Sequence, residues 1–252
     1  MSYLQVEITD QIATVTLNRP EKHNAFHLPF LDEIQDTMAG LAENTAVRLV
    51  ILTGAGEKSF SSGVDLNALV HFKSIAEART FALSLEKANT ALLRFPKPVI
   101  AAINGYAFGG GYGLASSTDV RLLARGAKIG FPAVRLGAIL PIGCTLRLNV
   151  LIGAGRSREL LLSGRVIDDR EALHIGLVNE IVPWENLLSR SREIADEILK
   201  GSDLALEMTK KMTNQELLVK IEQYSLTAAE NFAFLAFSDE WKTRILNFIS
   251  GK

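Results

Sequence analysis

Five glycines fall between Gly105 and Gly113, in Asn104-Gly105-Tyr106-Ala107-Phe108-Gly109-Gly110-Gly111-Tyr112-Gly113. The apolar run Pro98-Val99-Ile100-Ala101-Ala102-Ile103 before them reads as a buried strand, and Leu114-Ala115-Ser116-Ser117 after them suits a close-packed helix. Glycine has no Cβ, so it permits positive φ and lets a ligand or another chain segment approach the backbone. A strand that empties through glycines into a helix leaves unpaired N–H groups at the helix start. Those donors suit an anion or a developing oxyanion. A tight turn packing a helix on a strand explains the same glycines, and spacing leaves both readings open. A second small-residue loop, Thr53-Gly54-Ala55-Gly56-Glu57-Lys58-Ser59-Phe60-Ser61-Ser62-Gly63-Val64-Asp65-Leu66, lacks the GxxxxGK[ST] spacing of a phosphate loop.

The elements that must position these loops are legible in the periodicity. Leu4, Val6 and Ile8 alternate with polar residues, as do Ala13, Val15 and Leu17, which predicts a hairpin of two half-buried strands. Leu28, Leu31, Met38 and Leu41 mark a helical face with Pro29 near its start. Val47-Arg48-Leu49-Val50-Ile51-Leu52 reads as a strand covered on both faces. Ser74-Ile75-Ala76-Glu77 is a capping box, opening a helix that runs to about Phe95 before Pro96-Lys97-Pro98. Val120-Arg121-Leu122-Leu123-Ala124 is another strand. Beyond Leu146 the pattern is almost wholly helical, with segments at 158–162, 170–173, 187–199, 204–212 and 216–237. Strands with interleaved helices, followed by helices alone, predict an α/β core over residues 1–195 and a C-terminal helical region over 196–252.

The 252 residues are 48% hydrophobic and 22% charged, enough for one large globular domain. A net charge of −1 with no basic block predicts neither nucleic acid nor an acidic membrane surface as partner. No apolar run approaches a membrane span, and Ser2-Tyr3-Leu4-Gln5-Val6-Glu7 has no signal-peptide character. With Cys144 as its single cysteine, the chain is expected in the cytoplasm. Cys144 reads as a packed small hydrophobe, and four histidines without ligand spacing predict no metal site.

With both small-residue loops placed after strands, the sequence resembles the enoyl-CoA hydratase/isomerase (crotonase) family. The matching stretches are Asn18-Arg19-Pro20 with Asn24-Ala25, Phe60-Ser61-Ser62-Gly63-Val64-Asp65-Leu66, and Pro96-Lys97-Pro98 with Asn104 to Gly111. Ser163-Gly164-Arg165, Ala172, Gly176-Leu177-Val178-Asn179 and Val182-Pro183 follow in order. The resemblance implies a spiral of ββα units, C-terminal helices that form a homotrimer or a dimer of trimers, and an acyl-CoA thioester as ligand. It implies that the amides of Val64 and Gly110 hold the thioester oxygen. It places the CoA moiety, the one cofactor-like group expected, near Lys22, Ala25, Ser62, Asp65 and Leu66, with Phe248 of the partner subunit beside it.

The sequence departs from the family where protons move. Hydratases of the family carry one glutamate two residues after the glycine triplet, and here that position is Gly113. The second follows a proline, and here Pro132 is followed by Ala133. Some relatives place an acid further on, in the loop that here reads Gly137-Ala138-Ile139-Leu140-Pro141-Ile142-Gly143, which has none. General acid–base help contributes about 10²–10⁴-fold, so ordinary hydration is not expected from these positions. His71, just past the oxyanion loop, and Tyr112, beside the missing acid, are the candidate proton donors. A surface histidine and a core tyrosine are the plainer alternatives. Ser61, Ser116 and Ser117 lack a His–Asp partner. Arg135 either meets a substrate carboxylate or lies in solvent. Three functions follow. Decarboxylation of a malonyl-type thioester comes first, because loss of carbon dioxide itself makes the enolate. An enoyl-CoA hydratase/isomerase with a non-standard acid/base comes next, and a non-catalytic acyl-CoA binder last.

Overall fold

A computed structural model describes residues 2–251. Asp10 and Gln11 take left-handed φ values of 51° and 65°, as a two-residue loop needs if its twist is to match the strands it joins. They link β1 (Leu4–Thr9) antiparallel to β2 (Ile12–Leu17), the hairpin that the alternation predicts. β1 is a sheet edge, and its Val6 and Ile8 remain exposed, so only β2 is well buried. After α1 (Leu28–Glu43) the chain enters β3 (Leu49–Gly54), whose six residues are all buried.

From β3 onward one motif recurs: a long strand, a short strand, then helix. β3 is followed by β4 (Ser59–Ser61), α2 (Leu66–Leu69) and α3 (Ile75–Arg94). β5 (Val99–Ile103) leads to β6 (Tyr106–Phe108) and α4 (Gly110–Ala115). β7 (Val120–Ala124) leads to β8 (Ile129–Gly130) and α5 (Ile142–Ser163). Then come β9 (Val166–Ile167), α6 (Asp169–His174), β10 (Glu180–Val182) and α7 (Leu187–Ile198). The long strands, with the short β10 at one edge, build one sheet in the order β1-β2-β3-β5-β7-β10, parallel throughout after the hairpin. The short strands build a second, in the order β4-β6-β8-β9. This is the α/β spiral of ββα units that the resemblance implies. Ser74 caps α3 as its box predicts, accepting from the Glu77 amide at 3.2 Å.

The C-terminal region differs from its expectation. The division at 195/196 falls inside α7, which runs to Ile198. α8 (Asp203–Ala236) is one helix of 34 residues where two segments were predicted, and α9 (Asp239–Ile249) follows. Phe232, Ala233, Trp241 and Ile245 belong to the same apolar core as β3 and β5. Lys210 on α8 ties the helix to the core, donating to Asp119 Oδ2 at 2.8 Å and to the Lys97 carbonyl at 3.0 Å. These helices are a wall of the core as well as a candidate interface. The three-residue β10 is too short to announce itself by periodicity.

Candidate active site

Three buried polar side chains fix the loops that face each other across the sheet ends. Asn24, itself at φ 55°, donates to the carbonyls of Ala55 and Ser59 at 3.0 and 3.1 Å and accepts from the Arg19 amide at 2.9 Å. Ser61 Oγ donates to the Asn24 carbonyl at 2.8 Å and accepts from the Gly63 amide at 3.1 Å. Asn104 binds Gly54 through both its carbonyl and its amide, and reaches the Gly56 carbonyl at 2.7 Å. Satisfied buried polar groups of this kind specify a single loop geometry.

That geometry brings the two glycine loops into contact. Gly63 has φ 91°, and a Cβ on it would stand 2.6 Å from the Phe108 carbonyl oxygen and 3.1 Å from Gly110 N. A Cβ on Gly111 would collide with the Ser61 backbone. Glycine is therefore required at both positions for the loops to meet. Val64, the next residue in the first loop, and Gly110, the first residue of α4, become neighbours. Neither backbone N–H has an acceptor among the described residues. Both residues line a cavity of about 540 Å³. Its walls are largely apolar, with Leu85 from α3, Leu140 from the loop into α5, Ile142 at the start of α5, and Phe232 from α8.

The structure brings some of the predicted residues here and not others. Lys22, Ala25, Ser62, Asp65 and Leu66 all border the cavity with Val64 and Gly110. Asp65 is held from both sides, by Arg19 Nη1 at 2.8 Å and by the Asn67 amide at 3.0 Å at the start of α2. Burial would raise its carboxyl pKa, but those partners outweigh burial and hold it below the usual carboxylate range. Phe248 borders the cavity of its own chain, because α9 folds back over the opening.

The two candidate proton donors are corrected. His71 is exposed in the turn after α2 and does not line the cavity. Tyr112 is wholly buried, facing the core, and its hydroxyl donates to the Leu177 carbonyl at 2.8 Å. Burial raises its phenol far above the ordinary value, so it holds its proton. Arg135 is spent on the Ser163 carbonyl, at 2.9 Å. Ser116 and Ser117 both donate to the Gly113 carbonyl. Cys144 is packed in the core, its thiol pushed up to about 11 by burial.

One residue that sequence reasoning missed enters the cavity. Glu86, on α3, is buried and lines the space beside Leu85. The chain therefore does present a carboxyl group to the cavity, from α3 and not from the loops. Its signal was a charge in register with Ala82, Asn89 and Leu93, on the flank of α3 away from the Phe81–Leu85–Leu92 stripe. α3 is buried on both flanks, between α1 and α8 and over α4 and α5, so a one-face reading of the helix hides it.

Comparison with known proteins agrees with this architecture. Residues 7–249 match the family described as enoyl-CoA hydratase/isomerase. A crotonyl-CoA hydratase of Syntrophomonas wolfei is 36% identical over 244 residues, covering 97% of this chain and 94% of that protein. A short-chain-enoyl-CoA hydratase of Clostridium acetobutylicum is 35% identical, over 97% of this chain and 93% of its own length. The crystal structure of an enoyl-CoA hydratase from Bacillus halodurans superposes with a TM-score of 0.91 at 27% identity, covering 97% of this chain and 99% of that one. Spiral fold and paired glycine loops define an α/β protein of the crotonase class. The chain belongs to the enoyl-CoA hydratase/isomerase family.

Proposed function

We propose that this protein acts on an acyl-CoA thioester in a reaction of the enoyl-CoA hydratase/isomerase type with a non-standard acid/base. The Val64 and Gly110 amides hold the thioester oxygen while negative charge moves onto it. The observation that carries the reading is the pair of acceptor-free amides, set side by side at a mostly apolar cavity large enough for an acyl chain. Donors fixed in advance, where water is excluded, contribute about 3 to 4 kcal/mol each in comparable oxyanion sites. CoA lies along the edge formed by Lys22, Ala25, Ser62, Asp65 and Leu66, with Phe248 across from it. The Lys22 ammonium meets a phosphate, and no cofactor beyond the CoA of the substrate takes part.

Decarboxylation of a malonyl-type thioester is the second reading. It uses the same amides, and the apolar wall of Leu85, Ala133 and Leu140 disfavours a substrate carboxylate, which promotes its loss. It stands second because the cavity is lined by Glu86, a carboxyl group that decarboxylation does not need. Turnover on 2-enoyl- and 3-enoyl-CoA thioesters, compared with carbon dioxide release from malonyl-, methylmalonyl- and ethylmalonyl-CoA, separates the two. Enoyl turnover without carbon dioxide is expected. Carbon dioxide release alone installs the second reading, and tight thioester binding without any turnover makes the protein a binder.

A further inference from the structure

We propose that Glu86 is the catalytic acid/base of this site, supplying from α3 the carboxylate that Gly113 and Ala133 do not. The inference rests on the acyl-CoA reading above and names the group that moves the proton. Glu86 follows Leu85, whose methyl group would lie 3.5 Å from a Cβ on Gly110. The residue thus adjoins the wall against which the thioester carbon is held. Its Oε2 accepts the Gly143 amide at 2.8 Å, in the first turn of α5, which anchors that oxygen. Oε1 has only the Thr90 hydroxyl at 3.5 Å, and that hydroxyl already donates to the Glu86 carbonyl at 2.7 Å. One oxygen is anchored and the other keeps its lone pairs.

A structural role is the alternative, as counter-charge to the buried Arg147. The bonding pattern argues against its sufficiency. Arg147 spends Nε on Ser116 Oγ at 3.0 Å and Nη2 on the Gly113 carbonyl at 3.1 Å. Its Nη1 has no partner among the described residues, although it lies 2.9 Å from the point where a Cβ on Gly143 would collide with Glu86 Oε1. No hydrogen bond joins Glu86 to Arg147 among the described residues; Glu86 instead accepts from a backbone amide and lines the cavity. One turn along the same flank, the Asn89 amide is also unpartnered, 3.6 Å from where a Cβ on Gly113 would stand. The gap between α3, α4 and α5 is thus lined by polar groups from α3 and α5. α4, which bears the glutamate in relatives that have it, contributes only glycine.

In the step assigned to it, Glu86 Oε1 takes a proton from the substrate α-carbon. The C–H electron pair becomes the enolate double bond, and the carbonyl π pair moves to the oxygen held by Val64 and Gly110. The neutral acid then returns the proton to the α-carbon, or to the γ-carbon when a β,γ double bond extends the enolate. The enolate oxygen pair then reforms the carbonyl, and no oxidant or co-reactant is consumed.

Exchange of the α-hydrogens of butyryl-CoA in D2O, followed by mass spectrometry, reads this step without knowledge of the natural acyl group. Glu86→Gln keeps an oxygen for the Gly143 amide, so it is expected to bind butyryl-CoA as the wild type does and to exchange about 10²–10⁴-fold more slowly. Glu86→Asp keeps the charge near Arg147 and withdraws the carboxyl by one methylene. It is expected to melt near the wild type and to lose at least tenfold in exchange. Full exchange in either folded variant overturns the proposal and leaves the acyl-CoA reading intact. Wild-type protein that neither binds butyryl-CoA nor exchanges its α-hydrogens overturns both.

Discussion

At the scale of residues, the site separates groups that hold charge from groups that hold shape. Gly110→Pro removes one amide N–H at the first position of α4, where proline fits a helix and a Cβ meets only ordinary contacts. Turnover is expected to fall by about 10²–10³ with little change in thioester binding, measured as kcat against KM. Tyr112→Phe tests the opposite assignment. The hydroxyl binds a core carbonyl that Arg121 Nε also supplies at 3.0 Å, so its loss is expected to cost about 1 kcal/mol of stability with kcat unchanged. Asp65 gives a pH signature. Its pKa is lowered in the fold, so its stabilisation is fully present above the ordinary carboxylate range and is lost as pH falls through the depressed value. Asp65→Asn is expected to melt below the wild type at pH 7, and the two melting temperatures are expected to converge towards pH 3.

At the scale of elements, α3 matters most. It carries Leu85 against the amide site, Glu86 in the cavity and Asn89 below it, one helix turn apart. Its N-terminus is fixed by Ser74, and Ser74→Ala is expected to cost about 1 kcal/mol in urea unfolding while leaving turnover unchanged. α8 closes the other side of the cavity and is secured by the buried Lys210. The strands, the capping box and both loops were readable because each is a local pattern of polarity and glycine. α8 was read as two helices because its apolar residues face different neighbours along its length and show no single stripe.

At the scale of the molecule, the C-terminal helices carry apolar residues on two sides. Phe232, Trp241 and Ile245 face the core, whereas Met208, Met212, Val219 and Phe234 are exposed along α8. Apolar residues exposed in number along one helix are characteristic of a face that another chain covers. Light scattering after size exclusion is expected to give a multiple of three chains, as the family resemblance implies, and Met212→Asp with Phe234→Asp is expected to yield smaller species.

The sequence by itself determined the element types, the two glycine loops and the family, because each is written in residues close together along the chain. It also determined that Gly113 and Ala133 stand where the resemblance leads one to expect acids, since both lie at fixed offsets from motifs. Only the tertiary structure decided that the Glu86 carboxylate lines the cavity, that Tyr112 turns to the core, and that Phe248 borders the cavity of its own chain. Where a side chain points depends on which distant helices cover its flank. Glu86 meets Gly143 across 57 residues of sequence, a contact that no local period encodes.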